Sequence, residues 1–178
     1  ICRNGRCAAG EVSSCDFDVV VDLANTANFD PINLGFYDGT TIGARSTEDG
    51  GCVVSNSSPE RVHSVTFPED RIICVSTEGS DFNTALYARG AVCLDEDGEV
   101  SCNDDSDRGD ALTSQFTLSV RAAATYHLVV DGEDGQGGVV QSGNYRLSFS
   151  DGRCSVCDAD AECADGRVCV DGQCVACR

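Results

Sequence analysis

The stretch Gln115-Phe-Thr-Leu-Ser-Val-Arg121 decides the fold, because apolar and polar residues alternate along it without a break. If the segment is extended, one of its faces carries three apolar side chains, Phe116, Leu118 and Val120. The same period of two recurs at residues 126–130 and 145–149. These segments are therefore predicted to be β-strands with one face buried in a core.

Four more segments combine strand-forming composition with flanking Gly, Asp, Asn and Ser residues: 16–23, 61–67, 71–77 and 84–89. None of the predicted strand region has a convincing helical period. Short alternating strands separated by turn residues are typical of two packed sheets, each hiding one face. The sequence therefore predicts an all-β protein, an antiparallel β-sandwich.

Cysteine is the second decisive feature, with 13 in 178 residues. Zinc is the rival explanation, but the two histidines, His63 and His127, stand apart from any paired-cysteine motif. Disulfides are the better interpretation, and they indicate an extracellular or cell-surface protein. Since 13 is odd, one thiol is free or pairs with another molecule.

The charge excludes one class of partner. Thirty acidic residues face 12 basic ones, giving a net charge of −18, and no cluster of arginines is present. Nucleic acid binding depends on such clusters, so it is not expected. No apolar run is long enough to span a bilayer.

Cysteine density and apolar pattern divide the chain into three predicted parts. Residues 1–14 contain the end of a cysteine-rich motif, 15–152 form the sandwich, and 153–178 form a small disulfide-rich segment.

Several short motifs in the predicted sandwich resemble the bacterial pre-peptidase C-terminal domain. They occur in the family's order over residues 61–150, and the matching residues are Thr84, Leu86, Tyr87, Asn103 to Asp105, Thr125, Tyr126, Val129 to Gly132, Gly143, Tyr145 and Leu147. The resemblance implies a jelly-roll-like sandwich appended to secreted proteins, often beside a hydrolase. The family's opening acidic motif, which some members use for calcium, is not recognisable at residues 25–33.

Calcium is nevertheless the one cofactor for which the sequence offers ligands. Five acidic residues form the candidate set: Asp95, Asp97, Glu99, Asp104 and Asp105. Clustered carboxylates supply the oxygens that this cation needs. The spacing is not that of an EF-hand, however, and a solvated acidic loop is the favoured alternative.

The two ends of the chain resemble each other. Residues 1–7 parallel residues 168–174, and the final Cys-x2-Cys repeats the spacing of Cys154 and Cys157. Both ends resemble short cysteine-rich repeats of exported bacterial proteins, which suggests an excerpt from a longer array. Four cysteines at these ends are candidates for links between subunits: Cys2, Cys7, Cys174 and Cys177.

Pairing cannot be deduced from sequence, although proximity suggests candidates. Cys93 with Cys102 would close a hairpin around an acidic turn, and Cys52 with Cys74 would tie a loop to a strand. Cys15 is a candidate to join a cysteine near the C-terminus. The last six are expected to pair mostly among themselves: Cys154, Cys157, Cys163, Cys169, Cys174 and Cys177.

No catalytic motif is recognisable, because the serines lack a nucleophile elbow and a strand histidine is usually structural. An enzyme is therefore not expected, and two functions remain.

The first is a structural or adhesive subunit of a fibre, sheath or surface layer, joined to copies of itself or to neighbouring repeats. The second is an accessory module of a secreted hydrolase that binds protein or polysaccharide. The second predicts an exposed aromatic patch, for which the supply of 7 Phe, 4 Tyr and no Trp is small.

Overall fold

The computed structural model describes residues 18–21, 34–53, 57–90, 98–105, 112–133, 139–155, 168–170 and 173–175. Within them the chain forms β-strands and no α-helix. The strands are β1 (Val19–Val21), β2 (Gly35–Thr40), β3 (Arg61–Thr66), β4 (Arg71–Ser76), β5 (Thr84–Arg89), β6 (Glu99–Asn103), β7 (Gln115–Val120), β8 (Thr125–Gly132), β9 (Asn144–Asp151), β10 (Val168–Val170) and β11 (Gln173–Val175).

The first nine strands build two sheets. One has five strands in the order β1-β3-β8-β5-β6, and the other has four in the order β2-β9-β4-β7. Their pairings are antiparallel except that β1 runs parallel to β3. Strands β10 and β11 form a separate two-stranded antiparallel sheet. The predicted all-β sandwich is confirmed.

The core lies between the two sheets and follows from the alternation in the sequence. Phe116, Leu118 and Val120 of β7 are buried, while Ser119 between them is exposed. Strands β8 and β9 contribute their alternate residues to the same cluster, among them Leu128 and Leu147. Alternate apolar side chains of these strands therefore form a core between two packed sheets.

A strap of the chain covers the outer face of the five-stranded sheet. We use this name for residues 44–53, which lie between β2 and β3. Gly50 of the strap packs on the ring of Tyr87, leaving no space for a side chain at position 50. Cys52 is bonded to Cys102 of β6, which fixes the strap to the sheet.

A second disulfide joins Cys74 of β4 to Cys154, on the outer face of the four-stranded sheet. The residues around Cys154 lie across that face. The Cys154 amide donates to Thr117 Oγ1 at 3.1 Å, and Gln115 Nε2 donates to the Ser155 carbonyl at 3.2 Å. The chain beyond β9 is thereby tied to the sandwich.

Both suggested pairings of these cysteines were wrong. Cys102 is bonded to Cys52 and not to Cys93, because its side chain points out of β6 towards the strap. Cys52 and Cys74 lie on opposite outer faces of the sandwich, so two sheets separate them. A disulfide needs α-carbons within about 7 Å, which that arrangement forbids.

The structure also extends the strand predictions. All seven predicted segments contain strands, whereas β2, β6, β10 and β11 were not predicted. No helix in the described part of the chain is long and apolar enough to cross a membrane.

Candidate functional site

The pairing of β2 with β9 creates a polar surface on the outside of the four-stranded sheet. Asp38 lies opposite Arg146, and Thr40 lies opposite Asn144. Alternate residues of the same strands, such as Tyr145, face the core. The period of two that builds the core therefore also places these polar side chains together in solvent.

Arg146 is held in a fixed position on this surface. Its Nε and Nη2 donate to the two carboxylate oxygens of Asp38 at 2.8 and 3.0 Å, a bidentate pair. Its guanidinium carbon lies 4.0 Å from the centre of the Phe36 ring. The hydrogen bond from Arg146 lowers the pKa of the Asp38 carboxyl, and the same bond raises the pKa of Arg146. Both groups are therefore charged near neutral pH.

The turn between β4 and β5 forms the other side of the surface. Asp81 accepts hydrogen bonds from the amide of Asn144 at 2.7 Å and from its Nδ2 at 2.9 Å. Gly79 in the turn has a φ of 93°, a conformation that favours glycine, and packs beside the Arg146 side chain. Ser80 Oγ accepts from the Arg146 amide at 3.1 Å. Backbone and side-chain bonds thus fix the turn against β9.

A surface pocket of about 460 Å³ lies between these groups. Its lining residues are Asp38, Gly39, Thr40, Gly79, Asp81, Asn144, Tyr145 and Arg146. We call these residues, together with Phe36, the Arg146 patch. Its volume lies within the range of small-ligand sites.

The Arg146 patch retains unused hydrogen-bonding capacity. A guanidinium group has five N–H donors, and the bonds to Asp38 use two of them. The amide of Asn144 uses one side-chain N–H on Asp81 and keeps its oxygen as an acceptor. Donors and acceptors are therefore presented side by side on rigid strands, which is how a binding site is preorganised.

The accessory-module hypothesis predicts an exposed aromatic patch, and the described residues expose one aromatic ring in place of a patch. Among the described residues, Phe36 is the one aromatic in the set of exposed large apolar side chains, and it is 37% exposed. It lies within the Arg146 patch. The exposed aliphatic residues lie elsewhere, with Ile42, Val139 and Val140 as examples.

His63 belongs to the core. Its Nδ1 donates to the Leu128 carbonyl at 3.1 Å, and its Nε2 accepts from the Tyr145 hydroxyl at 2.8 Å. The rings of Tyr37 and Tyr145 pack edge-on against it, each with its centre 5.4 Å away. Burial lowers the pKa of His63 to about 4, outweighing the opposite effect of the Leu128 bond. With both ring nitrogens engaged and the ring buried, His63 has a structural role.

His127 lies on the outer face of the five-stranded sheet and is 8% exposed. Burial lowers its pKa, and the nearby positive charge of Arg89 acts in the same direction. Arg89 forms an ion pair with Glu48 of the strap and donates to the Asp49 carbonyl at 2.5 Å. His127 therefore lies within the contact between strap and sheet.

The strap also buries two other ionisable side chains, Tyr87 and Glu60. The Tyr87 hydroxyl lies 3.5 Å from a carboxylate oxygen of Asp131, and its pKa is raised by burial and by that negative charge. Glu60 accepts bonds from the amide and hydroxyl of Thr47 at 2.8 and 3.0 Å, and burial raises its pKa. These contacts join the strap to the part of the sheet beneath it, where Tyr87 and Glu60 are buried.

The candidate calcium ligands are only partly described. Asp95 and Asp97 lie outside the described residues. Glu99 accepts a hydrogen bond from the Gly51 amide at 2.9 Å, which anchors the strap. Asp104 and Asp105 follow β6, and burial, with a smaller contribution from Asp104, raises the pKa of Asp105. Within the described residues, no three His, Cys, Asp or Glu side chains converge on a metal position.

Most of the cysteines near the two ends of the chain are also outside the described residues. Cys2, Cys7, Cys15, Cys157, Cys163 and Cys177 lie outside the described residues, as does Cys93. Cys169 of β10 is in a disulfide, and only the backbone of Cys174 in β11 is described. The predicted links between subunits therefore stay predictions.

Sequence reasoning missed the Arg146 patch. Its central pair, Asp38 and Arg146, is separated by 108 positions, and β2 was not predicted. The sequence contains one indication of a polar binding surface. Arg146 lies on the polar face of the predicted strand at 145–149, and Asn144 lies two positions before it. Only the pairing of β2 with β9 reveals its partner.

Among known proteins, this chain is similar to solved structures but not to any family model or curated sequence. No protein-family model matches the sequence, and no curated protein matches it significantly. A solved structure of the pre-peptidase C-terminal domain of a Bacillus anthracis collagenase is similar over 67% of this chain and 90% of that chain, with 14% identity and a TM-score of 0.40. Aeromonas hydrophila PliG, a periplasmic inhibitor of g-type lysozyme, is similar over 65% of this chain and 81% of that chain, with 14% identity and a TM-score of 0.39. These values assign neither a family nor a function. Membership of the pre-peptidase C-terminal domain family is therefore not shown.

Proposed function

We propose that this chain is a non-catalytic binding module of an exported protein, and that it binds its ligand through the Arg146 patch. The observation that carries the proposal is the pocket of about 460 Å³ at that patch, where Arg146 and Asn144 keep unused hydrogen-bonding groups. Exposed polar side chains held by fixed partners on paired strands are suited to binding without reorganisation.

Two further features support the proposal. The disulfides Cys52–Cys102 and Cys74–Cys154 are typical of proteins that function in an oxidising compartment. His63, a residue type often used as a catalytic base, has both ring nitrogens engaged inside the core. The Arg146 patch itself has charged groups but no evident nucleophile paired with a base.

Retention on insoluble polymers tests this function. The whole chain is incubated with cellulose, chitin and gelatin beads, and the bound fraction is measured together with any soluble product released. We expect retention on at least one polymer without product release, and loss of retention in Arg146→Ala. Release of soluble fragments would contradict the proposal, and so would retention on none of the polymers together with no binding of soluble oligosaccharides or gelatin.

Arg71→Ala is the matched control variant. Arg71 also forms ion pairs with carboxylates, Glu69 and Asp151, but it lies at the opposite end of β4 from the Arg146 patch. Its loss should leave retention unchanged. Thermal unfolding of both variants checks that each remains folded.

The fibre hypothesis concerns different residues. It depends on Cys2, Cys7, Cys174 and Cys177, whose side chains lie outside the described part of the chain. Gel electrophoresis with and without reductant tests it separately. Ladders that collapse on reduction would support covalent assembly, and a single monomer band would contradict it.

A further inference from the structure

We propose that the Arg146 patch binds an uncharged polysaccharide, recognising vicinal hydroxyl groups of its sugar units. This inference rests on the proposed function and names the ligand class of the same site. Three properties of the patch lead to it: its charge balance, its pattern of donors and acceptors, and its exposed apolar surface.

The charge balance disfavours an anionic ligand. Asp38 neutralises Arg146, so the carboxylate of Asp81 leaves the patch with a net negative charge. The chain as a whole carries −18. A phosphate, sulfate or uronic acid group would be repelled by this field and would find the guanidinium charge already compensated.

The donor and acceptor pattern matches hydroxyl groups. A hydroxyl both donates and accepts, and two neighbouring hydroxyls fit a planar group that offers two atoms at once. Arg146 presents its remaining N–H donors, while the Asn144 oxygen and the outer lone pairs of Asp38 and Asp81 accept. Asp38 lies on β2, opposite Arg146 of β9, and Asn144 lies two positions before Arg146. Asp81 lies on the turn beside β9.

The third property is the apolar surface next to these groups. The Phe36 ring is partly exposed at one border of the patch. Gly39 and Gly79 line the pocket without side chains, so backbone is accessible there. Sugar rings have C–H faces that pack on such surfaces while their hydroxyls bind polar groups at the edge.

An uncharged ligand also predicts the salt dependence of binding. The contacts are hydrogen bonds between a neutral sugar and side chains whose charges are already paired. Affinity should therefore change less than twofold between about 0.05 and 0.5 M NaCl, since screening acts mainly on unpaired exposed charges.

Titration of the whole chain with soluble oligosaccharides tests the inference. Hexamers of glucose, mannose and N-acetylglucosamine are the neutral probes, oligogalacturonate is the anionic probe, and soluble gelatin is the protein probe. Binding is followed by calorimetry and by NMR shifts of backbone amides. We expect a neutral hexamer to bind and to shift the amides of Gly39, Asn144 and Arg146.

Two variants distinguish recognition by the planar guanidinium group from attraction by its positive charge alone. Arg146→Ala and Arg146→Lys should each weaken binding at least tenfold, because lysine keeps the charge but lacks the planar fork. Arg71→Ala should bind as the unaltered chain does. Neutral hexamer binding that survives Arg146→Ala would overturn the inference.

The remaining outcomes separate this inference from the proposed function. Gelatin binding that depends on Arg146, without binding of any neutral hexamer, would overturn the ligand class and leave the binding function intact. Salt-sensitive binding of oligogalacturonate alone would do the same. Binding of none of the soluble probes, together with retention on none of the insoluble polymers, would overturn both.

Discussion

Replacing His63 by glutamine should remove a large part of the acid sensitivity of the fold. Burial lowers the pKa of His63 from its usual 6.5 to about 4 in the folded chain. Between these values the unfolded chain binds a proton that the folded chain does not, so stability falls as the pH falls through this window. At pH 4 the loss relative to neutral pH amounts to about 3 kcal/mol.

Glutamine suits the substitution because its amide can accept from Tyr145 and donate to the Leu128 carbonyl, yet it does not titrate. The free energy of unfolding is measured from guanidinium chloride curves at several pH values between 4 and 8, with the disulfides intact. We expect the two proteins to differ in slope, with the unaltered chain losing about 3 kcal/mol more than His63→Gln. Parallel curves would refute the assignment of a buried neutral histidine.

Two further predictions concern the disulfide of the strap and the packing of Gly39. Replacing Cys52 and Cys102 by serine should destabilise the fold by about 4 kcal/mol in the chain-entropy model, since the two residues are 50 positions apart. Denaturant unfolding measures this loss, and an unchanged midpoint would contradict it. Gly39→Ala should cost about 1 to 3 kcal/mol, because the added methyl group would overlap the Tyr145 ring. A lowered melting temperature would support this contact, and an unchanged one would refute it.

The predicted strands have either strict alternation or a strand-forming composition between turn residues. In β7, every second residue is apolar, and burial follows the same period. In β2, the sequence Gly-Phe-Tyr-Asp-Gly-Thr contains two glycines and an aspartate, which are unfavourable in isolated strands. The pairing of all six β2 residues with β9 overrides this preference. Local sequence cannot report a contact made about a hundred residues away.

The pairing of the cysteines likewise could not be predicted from local sequence. Cys93 and Cys102 are close in sequence, and an acidic turn between them suggested a hairpin. Glu99–Asn103 is instead a strand whose outer face is covered by the strap, so Cys102 meets Cys52. The deciding information is which face of which sheet each cysteine occupies. That information is available only after both sheets are assembled.

The Arg146 patch also could not be predicted from the sequence, although its residues lie in recognisable polar positions. Arg146 lies on the polar side of the alternating segment 145–149, which is the ordinary pattern of a solvated face. Its bond to Asp38 and its contact with the Phe36 ring depend on the register of β2. A shift of one residue would turn Asp38 towards the core, so the site is a consequence of strand register.

The two disulfides each hold a segment over an outer face of the sandwich, away from the Arg146 patch. Cys52–Cys102 holds the strap over the outer face of the five-stranded sheet. Cys74–Cys154 holds the chain beyond β9 over the part of the four-stranded sheet formed by β4 and β7. Within the described residues, neither of these segments lies over the end of that sheet where β2 pairs with β9. The two disulfides thus fix segments over other parts of the sandwich, and the side chains of the Arg146 patch are exposed.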